Sequence, residues 1–109
     1  MRFEGRYRTL SMNGGCTLYI LRCADGSYYV GTTRFPIDAR LSEHQSGLDT
    51  KSYTASRRPV RLVYSAHYEL ITDAIAAERQ IKGWRREKKE ALIRGDFESL
   101  PALSRRYKK

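Results

Sequence analysis

Two runs rich in aromatic and β-branched residues, CTLYILRC (16–23) and SYYVGTT (27–33), stand on either side of Ala24-Asp25-Gly26. Such runs fit the pleated, half-buried surface of a sheet, and an Asp-Gly pair between them is a strong hairpin signal. A two-residue Asp-Gly turn and a three-residue loop ending in a left-handed Gly26 both fit the spacing. The choice has consequences, because a slip of one residue sends every side chain to the opposite face of the sheet. In the three-residue version Cys23 opposes Ser27, Leu21 opposes Tyr29 and Tyr19 opposes Gly31. Tyr19 and Tyr29 then share a face.

The remainder of the chain supplies the elements to cover that hairpin. Pro36 suits the first turn of a helix over PIDARLSEHQSG that stops at Gly47. Residues 48–59 are polar and basic and read as a loop. VRLVYSAHY (60–68) alternates as a third strand, with Val60, Leu62, Tyr64, Ala66 and Tyr68 on one side. Thr72 is the expected N-cap of a helix over DAIAAERQIK, which ends at Gly83; WRREKKEALIR (84–94) is a further helix stopped by Gly95, and Pro101 opens a terminal turn. The fold class is α/β of the α+β type: a small three-stranded antiparallel sheet flanked by helices, in the order β-β-α-β-α-α. Residues 1–14 read as a polar N-terminal extension, 15–95 as the folded domain and 96–109 as a basic C-terminal tail.

A chain of 109 residues fits one domain. It has no apolar run of the roughly 20 residues that span a bilayer, and its first 15 residues hold three arginines without the apolar segment of a secretory signal. Cys16 and Cys23 fall on one extended segment, roughly 23 Å apart and beyond disulfide reach. With His44 and His67 the only histidines, a structural zinc cluster is not expected. A reducing, cytoplasmic setting follows, with no membrane and no obligate protein partner. Charge is the informative bulk property. Lys and Arg number 21 against 12 acids, a net +9, and residues 79–109 carry 11 basic and 4 acidic residues. A polyanionic partner, nucleic acid first among them, suits that balance, although a solvated helix face would look the same.

Two helices carry polar groups on stripes that should be buried. Ile37, Arg40, Leu41 and His44 fall within about 100° on the first. Ile71, Ala74, Ile75, Glu78, Ile81 and Lys82 share a stripe on the second, with Glu78 near its centre. A carboxylate there needs a partner, a metal or a wet cleft; the plain alternative is an ion pair with Arg40. Tyr19, Tyr29, Arg40, His44 and Glu78 are expected to face one concavity on a single sheet face.

Leu18-Tyr19-Ile20 and Tyr29-Val30-Gly31, their tyrosines ten residues apart, resemble the paired signatures of the GIY-YIG nuclease superfamily. Arg40-Leu41, Glu43-His44, Glu78 and Ile81-Lys82 follow in the family's order. The resemblance covers about residues 16–94, and TLYILRCADGSYYVGTT is most similar to the small stand-alone bacterial branch. It favours the three-residue hairpin loop. Leu18 replaces the first glycine and Val30 the central isoleucine of the signatures, and neither change removes a reacting group. The resemblance implies endonucleolytic hydrolysis of a phosphodiester by water with Mg²⁺ or Mn²⁺ as cofactor, selective for structure rather than sequence, on DNA ahead of RNA. Glu78 would hold the metal, Arg40 the phosphate oxygens; Tyr19 would help deprotonate the water, with Tyr29 orienting water or phosphate and His44 sharing the proton work. Lys51, Tyr53, Arg57, Arg58, Lys82, Arg85, Arg86, Lys88 and Lys89 are the expected nucleic-acid contacts. A non-catalytic nucleic-acid binder on the same fold, and an adaptor for an acidic protein, are the competing readings.

Overall fold

The structure, a computed structural model, describes residues 15–101. The 1–14 extension and the end of the basic tail lie outside the described residues. Strands β1 (Cys16–Arg22) and β2 (Tyr28–Thr33) are followed by α1 (Ile37–Ser46), β3 (Arg61–Tyr68), α2 (Ile71–Lys82) and α3 (Arg86–Ile93). The expected order β-β-α-β-α-α is the observed one, and the three strands form an antiparallel sheet in the spatial order β2-β1-β3.

Strand β1 is central, and Leu18, Tyr19, Ile20 and Leu21 have no exposed surface. Successive strand side chains point to opposite faces, so a four-residue apolar run must be covered on both. Leu18 and Ile20 pack with Val30, Ile81 and Leu92. Tyr19 and Leu21 pack with Cys23 and Val60, under Tyr29, Ile37 and Leu41. Helix α1 thus covers one face and α2 with α3 the other. Cys16 and Cys23 are both buried free thiols.

The hairpin takes the three-residue loop. Leu21 pairs with Tyr29 and Tyr19 with Gly31, and the Cys23 N–H donates to Ser27 O at 2.8 Å. Gly26 has φ +86°, in the left-handed region. The Asp25 carboxylate accepts from the Ser27 N–H at 3.0 Å and its hydroxyl at 2.6 Å. The loop is tied from both sides: Ala24 N–H donates to Arg57 O at 2.8 Å and Arg86 to Gly26 O at 2.7 Å.

Two expectations need correction. The side of β3 does not stay constant, because the β1–β3 register shifts between Ile20 and Leu21: Ile20 opposes Tyr64 but Leu21 opposes Leu62. A bulge inserts one residue and resets the alternation. Leu62 and Val60 therefore join the Tyr19 face, whereas Val63, Tyr64 and Tyr68 join the Leu18 face. Helix α2 starts at Ile71, with Leu70 as N-cap and no side-chain cap. Leu70 O accepts from Asp73 and Ala74 N–H groups, which places Thr72 inside the first turn. At the end of α1, Gly47 is left-handed at φ 67°, as a C-terminal glycine should be.

A non-glycine residue in the left-handed region costs roughly 1–2 kcal/mol, so Gly26→Ala should lower unfolding free energy by about that amount. Gly83 has φ −82° and an added Cβ there would meet only ordinary contacts. Gly83→Ala should be neutral or stabilise by about 0.4–1 kcal/mol. Urea melts of the two variants beside the parent check the pair.

Candidate active site

The sequence's own periodicities bring four of the five expected residues together. Tyr19 comes from β1, Tyr29 from its neighbour β2, and Arg40 and His44 lie one helical turn apart on α1, which rests on the tyrosines' face. The Arg40 Nε–H donates to Tyr19 Oη at 3.2 Å. Tyr19 Oη lies 2.9 Å from His44 Nε2, and His44 Nδ1 lies 2.8 Å from Thr54 Oγ1. The rings of Tyr29 and His44 are 5.1 Å apart, those of Tyr19 and Tyr29 6.2 Å.

Arg40 can only donate, so the Tyr19 hydroxyl accepts from it. The two His44 bonds depend on the ring tautomer: with the Tyr19 proton turned to Nε2, Nδ1–H donates to Thr54, and with the other tautomer both bonds reverse. Burial, with Arg40 nearby, pulls the His44 pKa below its ordinary value and keeps the ring neutral. Burial pushes the Tyr19 hydroxyl up to about 12, against the lowering effect of Arg40. Burial wins, and Tyr19 holds its proton at neutral pH.

Exposure separates the phenols. Tyr19 is 0% exposed, whereas Tyr29 and His44 line a cleft of about 250 Å³ with Arg40, Glu43, Leu48 and Asp49. Gly31 makes the Tyr19 position available: a Cβ at residue 31 would lie 2.7 Å from Tyr19 Oη. Arg40 also pairs with Glu43 at 2.6 Å, both side chains over a third exposed (38% and 58%). Such a pair is worth about 0–1 kcal/mol and is readily exchanged for another anion. Thr54, fully buried, is the residue that sequence reading missed. A threonine in a polar loop carries no pattern that would single it out.

Glu78 is the exception. Its helix α2 packs through Ala77 and Ile81 on the Leu18–Ile20–Val30 face, so the expectation of one shared sheet face is not met. An apolar stripe says that a helix faces a sheet, not which face. Glu78 is mostly buried and pairs with Lys82 at 2.9 Å; Arg40, its suspected core partner, is engaged by Tyr19 and Glu43. Among the described residues no group of three or more His, Cys, Asp or Glu side chains is arranged to hold a metal. One carboxylate with oxygen donors from water and phosphate is a donor set that suits Mg²⁺, which keeps most of its hydration.

The expected basic contacts divide by what already holds them. Lys88 is buried (7% exposed) with its ammonium 4.0 Å from the Trp84 ring, so its placement as a surface contact is corrected: α3 turns that residue inward. Arg57 lies 3.8 Å over the Tyr53 ring and pairs with Asp25 at 3.2 Å. Arg58 donates to Ala55 O at 2.9 Å and reaches the Gln45 and Ser46 carbonyls at the end of α1, both at 3.3 Å. Arg86 pairs with Glu90 at 3.0 Å and lies 4.7 Å over Tyr28. Burial lowers the pKa of half-buried Lys89. Lys51, Lys82 and Arg85 are exposed, and exposed Tyr53 stacks on Tyr29 at 6.2 Å.

Comparison with known proteins gives the chain a family. Residues 15–91 match the model of the GIY-YIG catalytic domain. A UPF0213 protein of Staphylococcus aureus (strain Mu3) is 43% identical over 77 residues, 71% of this chain and 92% of its own length. The solution structure of the protein EF2693 from E. faecalis is 34% identical with a TM-score of 0.54, covering 76% of this chain and 86% of that one. The solution structure of the UPF0213 protein BH0048 from Bacillus halodurans is 38% identical, with a TM-score of 0.48 over 72% of this chain and 82% of that one. The family-model match spans both strand signatures, the Arg40–His44 helix and Glu78, and by that match the chain belongs to the GIY-YIG catalytic domain family, a nuclease-type domain.

Proposed function

We propose that this protein is a divalent-metal-dependent endonuclease that hydrolyses phosphodiester bonds by water attack and selects substrates by structure rather than sequence. The observation that carries the reading is the hydrogen-bonded chain Arg40–Tyr19–His44–Thr54 ending at an open cleft. A packing role alone does not call for an arginine, a tyrosine and a neutral histidine in series.

In this reading a phosphate of the substrate takes the place of Glu43 on Arg40, whose planar fork matches phosphate oxygens. Tyr29, at the cleft wall, orients the water. As the phosphate draws Arg40 away from Tyr19, a water gains access to Tyr19 Oη and passes its proton there while the tyrosine's own proton moves to His44 Nε2, so Tyr19 never needs to exist as a free phenolate. Thr54 holds the ring in the tautomer that leaves Nε2 open to accept. The hydroxide so formed attacks phosphorus and the ester oxygen leaves. Glu78 would hold Mg²⁺ or Mn²⁺ through its single carboxylate, and the ion when bound would supply neutralisation of developing negative charge. DNA is the favoured substrate over RNA, and the setting cytoplasmic. The non-catalytic binder on the same fold is the second reading, favoured by Glu78's ion pair with Lys82.

Glu78→Gln decides between them. Its partner Lys82 lies four residues on along the same helix and is half-exposed, a pair type worth about 0.3–0.5 kcal/mol, so the variant should melt close to the parent. Metal-dependent cleavage of branched and single-stranded substrates should fall on the order of 100-fold or more, with binding held or tightened. Unchanged cleavage per folded molecule would remove the metal-ligand role. A parent that binds but cleaves nothing would leave the binder reading in front.

The basic residues make a separate prediction. Exposed Lys51 borders the cleft loop, so Lys51→Ala should lower the log–log salt slope of nucleic-acid binding by about one. Lys88→Ala should leave that slope unchanged and reduce stability instead, because its stem and ammonium are packed against Trp84. Titrations at several salt concentrations, with melts of both variants, check the contrast.

A further inference from the structure

We propose that Phe35 is a base-stacking subsite that makes the cleft prefer unpaired nucleotides, an inference that rests on the nucleic-acid reading above. Phe35 is 60% exposed, and it sits on the short connection between β2 and α1, five residues before Arg40. It lines a cleft of about 430 Å³ together with Thr32, Thr33, Arg40 and Glu43. Arg40 and Glu43 also line the neighbouring cleft of Tyr29 and His44, so the two run into one another across the same arginine. Leu48, 81% exposed, lines that second cleft. Each of the two clefts that share Arg40 therefore carries one projecting apolar side chain.

Scattered exposed hydrophobics need no explanation, but this pair has a shared position and Phe35 is held in place. Its N–H donates to Thr33 Oγ1 at 3.1 Å, and Thr33 is itself buried. Pro36, with its fixed φ, and the start of α1 at Ile37 follow at once. The ring is thus presented to solvent on a constrained backbone, which lowers the entropic cost of using it. Charge complementarity names the occupant: a strand whose phosphate pairs with Arg40 brings its bases to either side. A base within a duplex is stacked on its neighbours and is not available to a protein ring, whereas an unpaired base has a free π-face. Stacking of this kind tolerates any sequence, in keeping with a cleft that reads structure.

The test compares the parent, Phe35→Ala and Phe35→Trp for binding to a fluorescein-labelled single-stranded oligodeoxynucleotide and to its blunt duplex, with EDTA present to prevent cleavage. Phe35→Ala should weaken single-strand binding roughly 5- to 100-fold while changing duplex binding less than about twofold. Phe35→Trp should restore the single-strand affinity and quench a 2-aminopurine placed in the strand. Equal loss on both substrates, or no loss on either, overturns the subsite while leaving the nuclease reading intact. Loss of a dimer by size-exclusion chromatography on Phe35→Ala, with affinities unchanged, also overturns it by assigning the ring to self-association. A parent that binds neither substrate removes the nucleic-acid reading and the subsite with it.

Discussion

Everything in this domain hangs on a central strand that is buried on both faces. Leu18 to Leu21 lose all solvent exposure, and with a period of two their side chains divide between two cores. A three-stranded sheet of this size cannot stand half-bare in water, so helices are needed above and below. That requirement separates the molecule into a purely structural face, built from Leu18, Ile20 and Val30, and a face where the buried residue at the same depth is a tyrosine. A tyrosine sealed from water must find partners for its hydroxyl. Arg40 and His44 answer that demand, and the site grows from it.

The consequence is a site whose polar groups satisfy one another before any substrate arrives. The tyrosine is kept protonated by burial, the histidine neutral, and the arginine charged by its bond to Tyr19 and its pair with Glu43. Each is a stable arrangement in a low-dielectric setting, and only the outermost link, Arg40 to Glu43, is exposed enough to exchange cheaply. A phosphate entering the cleft therefore meets a preorganised cation rather than one that must first be ordered.

The strong positive charge is used more inwardly than its total implies. Arg57 binds the loop 48–59 to the hairpin turn through Asp25, Arg58 closes the end of α1, and Arg86 with Glu90 locks α3 against Tyr28 and Gly26. Arginine's planar fork and its affinity for ring faces make it a good structural staple at the rims of a small core, where hydrophobic area is limited. Net charge still biases the surface toward a polyanion, but an inventory of basic residues overstates how many address one.

What the sequence determined by itself was local and periodic. The aromatic, β-branched runs around Ala24-Asp25-Gly26 dictated the hairpin, the helical spacing put Arg40 with His44, and the glycines at 26 and 47 marked their turns. The pairing of Tyr19 with Tyr29 on one face was legible once the loop length was chosen, because register is a matter of parity. Tertiary structure alone decided the rest. No periodicity announces which sheet face α2 will cover, so Glu78 was placed with the tyrosines when its helix packs on the other side. The bulge in β3 arises from pairing with β1 and is invisible within either strand. Thr54 entered the site because a loop folds back over His44, and Lys88 left the surface because α3 turns it under Trp84. Phe35 stands exposed beside Arg40 for the same reason: exposure is a property of what neighbours cover, and a single sequence records only its own side chains.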